Sequence, residues 1–250
     1  MKAMVLAAGM GTRLRPLTDD RPKALVELGG RTLLEIVLAR LRAVGVTNVI
    51  VNTHHFADMV VAYLKQNPNF GMRIELSQED ILLDTGGGLK KAANFFLDSS
   101  RDAQDPFILH NVDVLSAIDL GSMMRFHVES NALATLAVQE RETSRSLLFD
   151  QDGLLCGRRT AGTREIDWAR VGMDAQPLAF SGIHVISPRL LAKLDEEGAF
   201  SIIAAYLRLA GCGERILGFR ADEFYWRDLG RPESILQAEE EVASGRISLT

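Results

Sequence analysis

Leu6-Ala7-Ala8-Gly9-Met10-Gly11-Thr12-Arg13-Leu14-Arg15-Pro16-Leu17-Thr18 is the stretch on which the fold reading turns. It opens as the end of a short apolar run, Lys2–Ala8, which reads as a buried parallel strand. The strand breaks at two glycines, where backbone N–H groups can approach a phosphate, and Thr12 and Arg13 add donors. A tight turn with no ligand uses the same two glycines, so the loop alone leaves both readings open. Two familiar phosphate loops are excluded. No Lys-Ser/Thr pair follows a spaced second glycine, as a P-loop requires. A dinucleotide fingerprint needs a third glycine and an acid near the second strand's end; the chain has Leu14, Asn52 and Thr53.

Working outward, strand and helix signals alternate. Thr32–Val44 has helical spacing and closes on Gly45. Asn48–Asn52, Arg73–Ser77 and Pro106–Asn111 read as strands, and Ala57–Gln66 and Leu89–Leu97 as helices. Such repeats predict an α/β fold with a mainly parallel sheet covered on both faces. Beyond Asp119 the pattern shifts. Met123–Ser130, Pro188–Asp195, Ser201–Ala210 and Pro232–Ser244 read as helices. Ala132–Glu140, Ser146–Phe149 and Phe180–Ile186 read as strands, with Phe224–Asp228 a strand end. Gly157–Asp174 is polar and aperiodic, and is expected to be a loop-rich insertion over the sheet. With no Pro-, Gly- or Ser-rich linker, one domain spanning 1–250 is expected, with a sugar-binding or lid insertion at about 120–220. No hexapeptide repeat indicates an appended β-helix.

Composition narrows the partners. The 250 residues carry 28 Lys and Arg against 33 Asp and Glu, a net charge of −5. That argues against non-specific binding to nucleic acid or anionic membrane, though not against a local basic pocket. No apolar run is long enough to span a bilayer, and the start lacks a signal-peptide pattern. Two cysteines, Cys156 and Cys212, lack metal-ligand spacing, so a reduced cytoplasmic setting is expected. His54 and His55 have no third ligand nearby and read as packing or surface residues.

Two carboxylates end strands: Asp113 in Asn111-Val112-Asp113, and Asp228 in Tyr225-Trp226-Arg227-Asp228-Leu229-Gly230. Ligands bind at such strand ends in open parallel sheets, and two carboxylates can hold Mg²⁺. Each aspartate could equally cap a turn. Gly86-Gly87-Gly88 offers a backbone surface for a flat base, or a flexible helix start capped by Asp84 or Thr85.

Together with Pro22-Lys23 and Gly30-x-x-Leu33-Leu34-Glu35, the first loop resembles the signature of the sugar-1-phosphate nucleotidylyltransferases, or NDP-sugar pyrophosphorylases. The resemblance runs over the whole chain and is weakest from about Arg141 to Ala179. Asp84-Thr85-Gly86-Gly87-Gly88 and the short chain are most similar to the N-acetylmuramate-1-phosphate uridylyltransferases. The mannose-1-phosphate guanylyltransferases are near neighbours. The resemblance implies a Rossmann-like three-layer sandwich with a mostly parallel mixed sheet, of the nucleotide-diphospho-sugar transferase type. It implies the reaction NTP + sugar 1-phosphate ⇌ NDP-sugar + pyrophosphate, with UTP and N-acetylmuramate 1-phosphate as the expected pair.

The resemblance assigns catalysis to Arg13, as a clamp on pyrophosphate, and to Lys23, as a neutraliser of phosphate charge. It assigns nucleotide binding to Leu6, Ala7, Ala8, Gly9, Gly11, Thr12, Arg13, Lys23, Gln78, Thr85, Gly86 and Gly87. Asn111, Ser181 and Gly182 fall to the sugar, and Asp113 and Asp228 to Mg²⁺. Two departures stand out. Val112 replaces the family's usual glycine, which is expected to narrow the approach to the metal. The usual Glu-Lys-Pro segment for the sugar phosphate is missing, and Gly157-Arg158-Arg159 sits roughly in its place. Arg158, Arg159 and Arg164 are the expected partners of a sugar carboxylate. A phosphocholine-type transferase would share the first loop. A catalytically silent sensor of the same fold should have lost Arg13, Lys23 or an aspartate, and all four are present.

Overall fold

The computed structural model describes residues 1–67, 70–97, 105–163, 165–171 and 174–249. In chain order, Lys2–Leu6 (β1) is followed by a small hairpin of Glu27–Leu28 (β2) and Arg31–Thr32 (β3). Leu33–Ala43 (α1), Asn48–Thr53 (β4), Ala57–Gln66 (α2) and Arg73–Gln78 (β5) come next. Then come Asp84–Lys91 (α3), Ala93–Leu97 (α4), Phe107–Asn111 (β6), Val114–Ser116 (β7) and Leu120–Glu129 (α5). Ala134–Gln139 (β8), Arg145–Phe149 (β9), Leu155–Thr160 (β10), Ile166–Trp168 (β11) and Gln176–Ile186 (β12) extend the sheet. Ile202–Gly211 (α6), Ile216–Arg220 (β13), Trp226–Asp228 (β14) and Pro232–Ala243 (α7) complete the chain.

The period-two alternation of the buried strands builds three layers. Ala3, Val5, Val49, Val51 and Ile108 face one core, with Leu34, Leu38 and Leu41 of α1, Val60 of α2, Met123 of α5 and Ile235 of α7. Met4, Ile50, Phe107 and Leu109 face the other, with Leu89 of α3, Phe96 of α4 and Tyr206 of α6. Phe96 stacks on Phe107 with centroids 3.8 Å apart, worth about 1 kcal/mol beyond its burial. Helix α1 starts where the sequence says: the Thr32 side chain accepts from Glu35 N (3.1 Å), a cap worth about 1 kcal/mol.

The sheet is the expected mixed one. Strands β6, β1, β4 and β5 pair in parallel, and β8 and β13 also run parallel. Strand β12 joins the two blocks antiparallel. Its Ile183–Ile186 half pairs with β6, its Gln176–Ala179 half with β9, and its other edge with β8. Strands β9, β10 and β11 therefore continue the sheet past the carboxyl end of β6 and wall one side of it.

The described part of Gly157–Asp174 corrects the expected loop-rich insertion. It holds most of β10 and all of β11, an antiparallel pair at the sheet edge. The pairing exposes Arg159, Thr160 and Trp168. Edge strands carry charge that hides the alternation a strand normally shows. Pro188–Lys193 is a 3-10 turn rather than an α-helix. The helix expected at Leu89 begins at Asp84 and takes in all three glycines.

Candidate active site

The first loop is held from two sides. Ala7 N donates to Asn52 Oδ1 (2.7 Å), and Val112 N donates to Leu6 O (3.1 Å), tying the end of β1 to both neighbouring strands. Gly11 is left-handed at φ 63°, and a Cβ there would stand 3.0 Å from the Thr18 methyl. The Thr18 hydroxyl donates to Gly11 O (2.8 Å), and Thr12–Leu14 turns as a short 3-10 helix. That turn carries Arg13 out into solvent. A second 3-10 turn, Lys23–Leu25 after Pro22, aims Lys23 inward.

The two aspartates meet through a ladder that sequence patterning did not reveal. Strand β7 pairs with β14, placing Asp228 opposite Val114, and Leu229 N donates to Asp113 O (2.8 Å). Lys23 Nζ forms a direct ion pair with Asp113 Oδ2. Asp228 Oδ1 accepts from Gly230 N (2.7 Å). A Cβ on Gly230 would lie 2.6 Å from Asp228 Oδ1, 3.0 Å from Arg13 Nη2 and 3.5 Å from Asp113 Oδ2. Arg13, Asp113 and Asp228 thus converge around one glycine, and Lys23 joins them through its ion pair with Asp113. Val112 is buried in the core on the α1 side and also lines the adjoining cleft, between Asn111 and Asp113.

A cleft of about 420 Å³ opens beside this cluster, lined by Leu6, Ala8, Gly9, Lys23, Asn52, Glu79, Asp84, Thr85, Asn111 and Asp113, among others. Gln78 is not in it. It is exposed at the end of β5, and Lys91 Nζ donates to its carbonyl. Its neighbour Glu79 lies in the cleft instead, 2% exposed. Glu79 Oε1 accepts from Asn52 Nδ2 (2.7 Å) and Oε2 from Leu83 N (3.0 Å). Asn52 and Glu79 thus brace the first loop against the segment before α3. Sequence reasoning missed both; the polar Asn52 directly after the apolar Val49-Ile50-Val51 run was the available signal.

Gly86 and Gly87 are buried. A Cβ on Gly86 would fall 2.3 Å from the Phe200 ring, and one on Gly87 2.4 Å from Gly198 O. Gly86 N and Gly87 N both donate to Phe200 O, at 2.8 and 3.3 Å. The glycines let α3 press against the 198–200 segment. Thr85 lines the cleft and accepts from Ile202 N (3.0 Å) at the start of α6.

Asn111 borders the cleft, and Gly182 is close to it: a Cβ on Gly182 (φ 74°) would lie 3.0 Å from Asn111 Nδ2. The Ser181 side chain turns away, fully buried, with its hydroxyl 3.4 Å from Gln139 Oε1. Its carbonyl accepts from Trp226 Nε1 (2.7 Å). Arg158 is paired with Asp167 (3.1 Å), Arg159 is exposed, and Arg164 lies outside the described residues. His54 Nδ1 contacts Glu79 O (2.9 Å), and the His55 ring packs on Phe56. Among the described residues no group of three or more His, Cys, Asp or Glu is placed to hold a metal, and both histidines have packing partners.

The family model for nucleotidyl transferases matches residues 2–147, and the chain belongs to that family. It is a nucleotidyltransferase. It is 35% identical over 252 residues to an N-acetylmuramate alpha-1-phosphate uridylyltransferase of Caulobacter vibrioides, covering 96% of both chains. It is 28% identical to a mannose-1-phosphate guanyltransferase of Yarrowia lipolytica, covering 94% of this chain and 62% of that one. In fold it is similar to a putative glucose-1-phosphate thymidylyltransferase of Bacillus anthracis: TM-score 0.78, 17% identity, 99% and 96% of the two chains. Among the described residues no helix is long and apolar enough to cross a membrane.

Proposed function

We propose that this nucleotidyltransferase acts on a sugar 1-phosphate, moving the uridylyl group of UTP onto N-acetylmuramate 1-phosphate and releasing pyrophosphate. The observation that carries the choice of substrate is the 35% identity across 96% of both chains to the Caulobacter vibrioides uridylyltransferase. The second reading, GTP with mannose 1-phosphate, rests on the 28% identity to the Yarrowia lipolytica enzyme, of whose length the chain spans about three fifths. The ten-stranded sheet, reaching from β1 to β13, supports reading the chain as one domain, and the two free cysteines fit a reduced cytoplasm.

In this reading an oxygen of the sugar phosphate forms a bond to the α-phosphorus of the nucleotide, while the α–β bridging bond breaks and its electrons leave with pyrophosphate. The nucleophile needs no general base, because a phosphate monoester has a second pKa of about 6. The protein's part is positioning and charge neutralisation. Lys23, already on Asp113, meets phosphate charge brought to that carboxylate. Arg13, exposed on its turn, is free to clamp the leaving pyrophosphate. The convergent carboxylate oxygens at Gly230 fit Mg²⁺, which takes one or two carboxylates plus phosphate oxygens. Asp113 and Asp228 would hold it, and it would neutralise charge on the reacting phosphates.

The test is pyrophosphate release from five nucleoside triphosphates against a panel of sugar 1-phosphates. The highest kcat/KM is expected for UTP with N-acetylmuramate 1-phosphate. A win for GTP with mannose 1-phosphate installs the second reading.

A further inference from the structure

One cation beside the site has no role in the scheme above. Arg141 leaves β8 at the start of the crossover to β9, in the segment where the family resemblance is weakest. Its guanidinium lies over the Trp226 ring, 3.6 Å from the centroid. Its Nη2 donates to Phe180 O (2.8 Å). The Trp226 indole in turn donates to Ser181 O. Arg141 is thus pinned to the segment that leads into Gly182 and the cleft. Its Nε is buried with no hydrogen-bond partner among the described residues. Nη1 makes no hydrogen bond among the described residues and is not enclosed, so that edge of the guanidinium is open to an acceptor from a ligand.

The position is informative. Trp226 and Asp228 are two residues apart on β14, so their side chains share a face about 7 Å apart along the strand. A guanidinium on Trp226 therefore lies on the Asp228 side of the strand, near enough for the two charges to interact. Burial lowers its pKa while Asp228 opposes that shift, and it remains a cation. On its outer side a surface cleft of about 560 Å³ is lined by Arg141, Arg159, Ser144 and Ser146, with Glu142 on the same rim. Of the arginines singled out from the sequence, Arg158 already has Asp167 as partner.

We infer that Arg141, stacked on Trp226, is a specificity-determining residue that receives an anionic substituent, a carboxylate, on the sugar ring of the acceptor. This rests on the proposed function: the 1-phosphate sits at the Asp113–Asp228 cluster, and the ring reaches from there to Arg141. Arginine suits the task because its planar fork pairs with a carboxylate in two hydrogen bonds and can stack on an aromatic face at the same time.

The test compares N-acetylmuramate 1-phosphate with N-acetylglucosamine 1-phosphate, which lacks the carboxylate, in wild type, Arg141→Gln and Arg141→Lys. Arg141→Gln is expected to lower kcat/KM for the carboxylated sugar about 30-fold, mainly through KM, the scale of losing a charged hydrogen bond. The neutral sugar should change less than about threefold, which also reports that the variant is folded. Arg141→Lys keeps charge without the fork and should fall between. If wild type prefers the carboxylated sugar and Arg141→Gln keeps that preference, or loses both sugars equally, the inference fails and the proposed function stands. If wild type shows no preference for the carboxylated sugar, the substrate reading falls and takes the inference with it.

Discussion

Gly230 is the residue whose lack of a side chain lets Arg13, Asp113 and Asp228 meet. Its backbone N–H holds Asp228 Oδ1, and the space a Cβ would fill lies against Asp228, Arg13 and Asp113. Gly230→Ala should therefore push Asp228 out of place and cut turnover about 100-fold, the scale of losing one preorganised electrostatic group. Asp113→Asn and Asp228→Asn should lose at least as much, because each removes a charge. Steady-state rates with circular dichroism as the fold control check this; a Gly230→Ala enzyme with wild-type turnover would show that the contacts are slack. Arg13, Lys23, Asp113 and Asp228 were legible because each sits in a contiguous motif. Gly230, Glu79 and Arg141 were not, since what they touch comes from distant parts of the chain.

Helix α3 shows the same limit at the level of an element. Its triple glycine reads in sequence either as a backbone surface for a base or as a flexible helix start; in the structure it is a seat for the chain at 198–200. That contact is set by residues more than a hundred positions away, so local spacing could not reveal it. The consequence is a stability effect first. In Gly87→Ala the new Cβ meets a backbone carbonyl, Gly198 O, which cannot rotate aside as a side chain can. A loss of about 1–3 kcal/mol is expected, as for overpacking elsewhere, read as a lower urea midpoint with unchanged slope. The KM for the nucleotide should rise with it, since α3 carries Thr85 into the cleft. The parallel strands and amphipathic helices were legible from periodicity alone. The β10–β11 hairpin was not, because an edge strand has no buried stripe on its outer residues to betray it.

At the scale of the whole molecule, three histidines are enclosed as neutral side chains. Burial pushes His110 and His184 down to about 3, with the Arg40 charge adding to the effect on His110, and pushes His127 down to about 4. His127 bridges Thr135 and Ser187, and His184 meets the Tyr206 hydroxyl, so the neutral forms are built into the packing. An unfolded histidine titrates near 6.5. Below that pH the unfolded chain takes up protons that the folded chain refuses, so stability is full above about 6.5 and falls as pH drops toward 3–4. Each histidine should cost about 2 kcal/mol by pH 5, which is large against a typical total of about 5–15. Urea midpoints measured from pH 8 to pH 5 should hold level and then fall; a flat profile would mean that the histidines gain solvent or partners in the fold.

The division of labour along β12 has a consequence for how such an enzyme can diversify. The family model ends at residue 147, yet the strand at the centre of the sheet spans Gln176–Ile186. One end of that strand is hydrogen-bonded to the strand that delivers Asn111, the other to the wall beside Arg141. The recognisable half is therefore no cassette that can be cut out, because β6 would be left with a bare edge that other chains can join. Sequence changes around Gln176–Phe180 can accumulate only while Ile183–Ile186 keeps its register, and on the proposed function a few residues of one strand separate the trade of phosphates from the choice of what receives them.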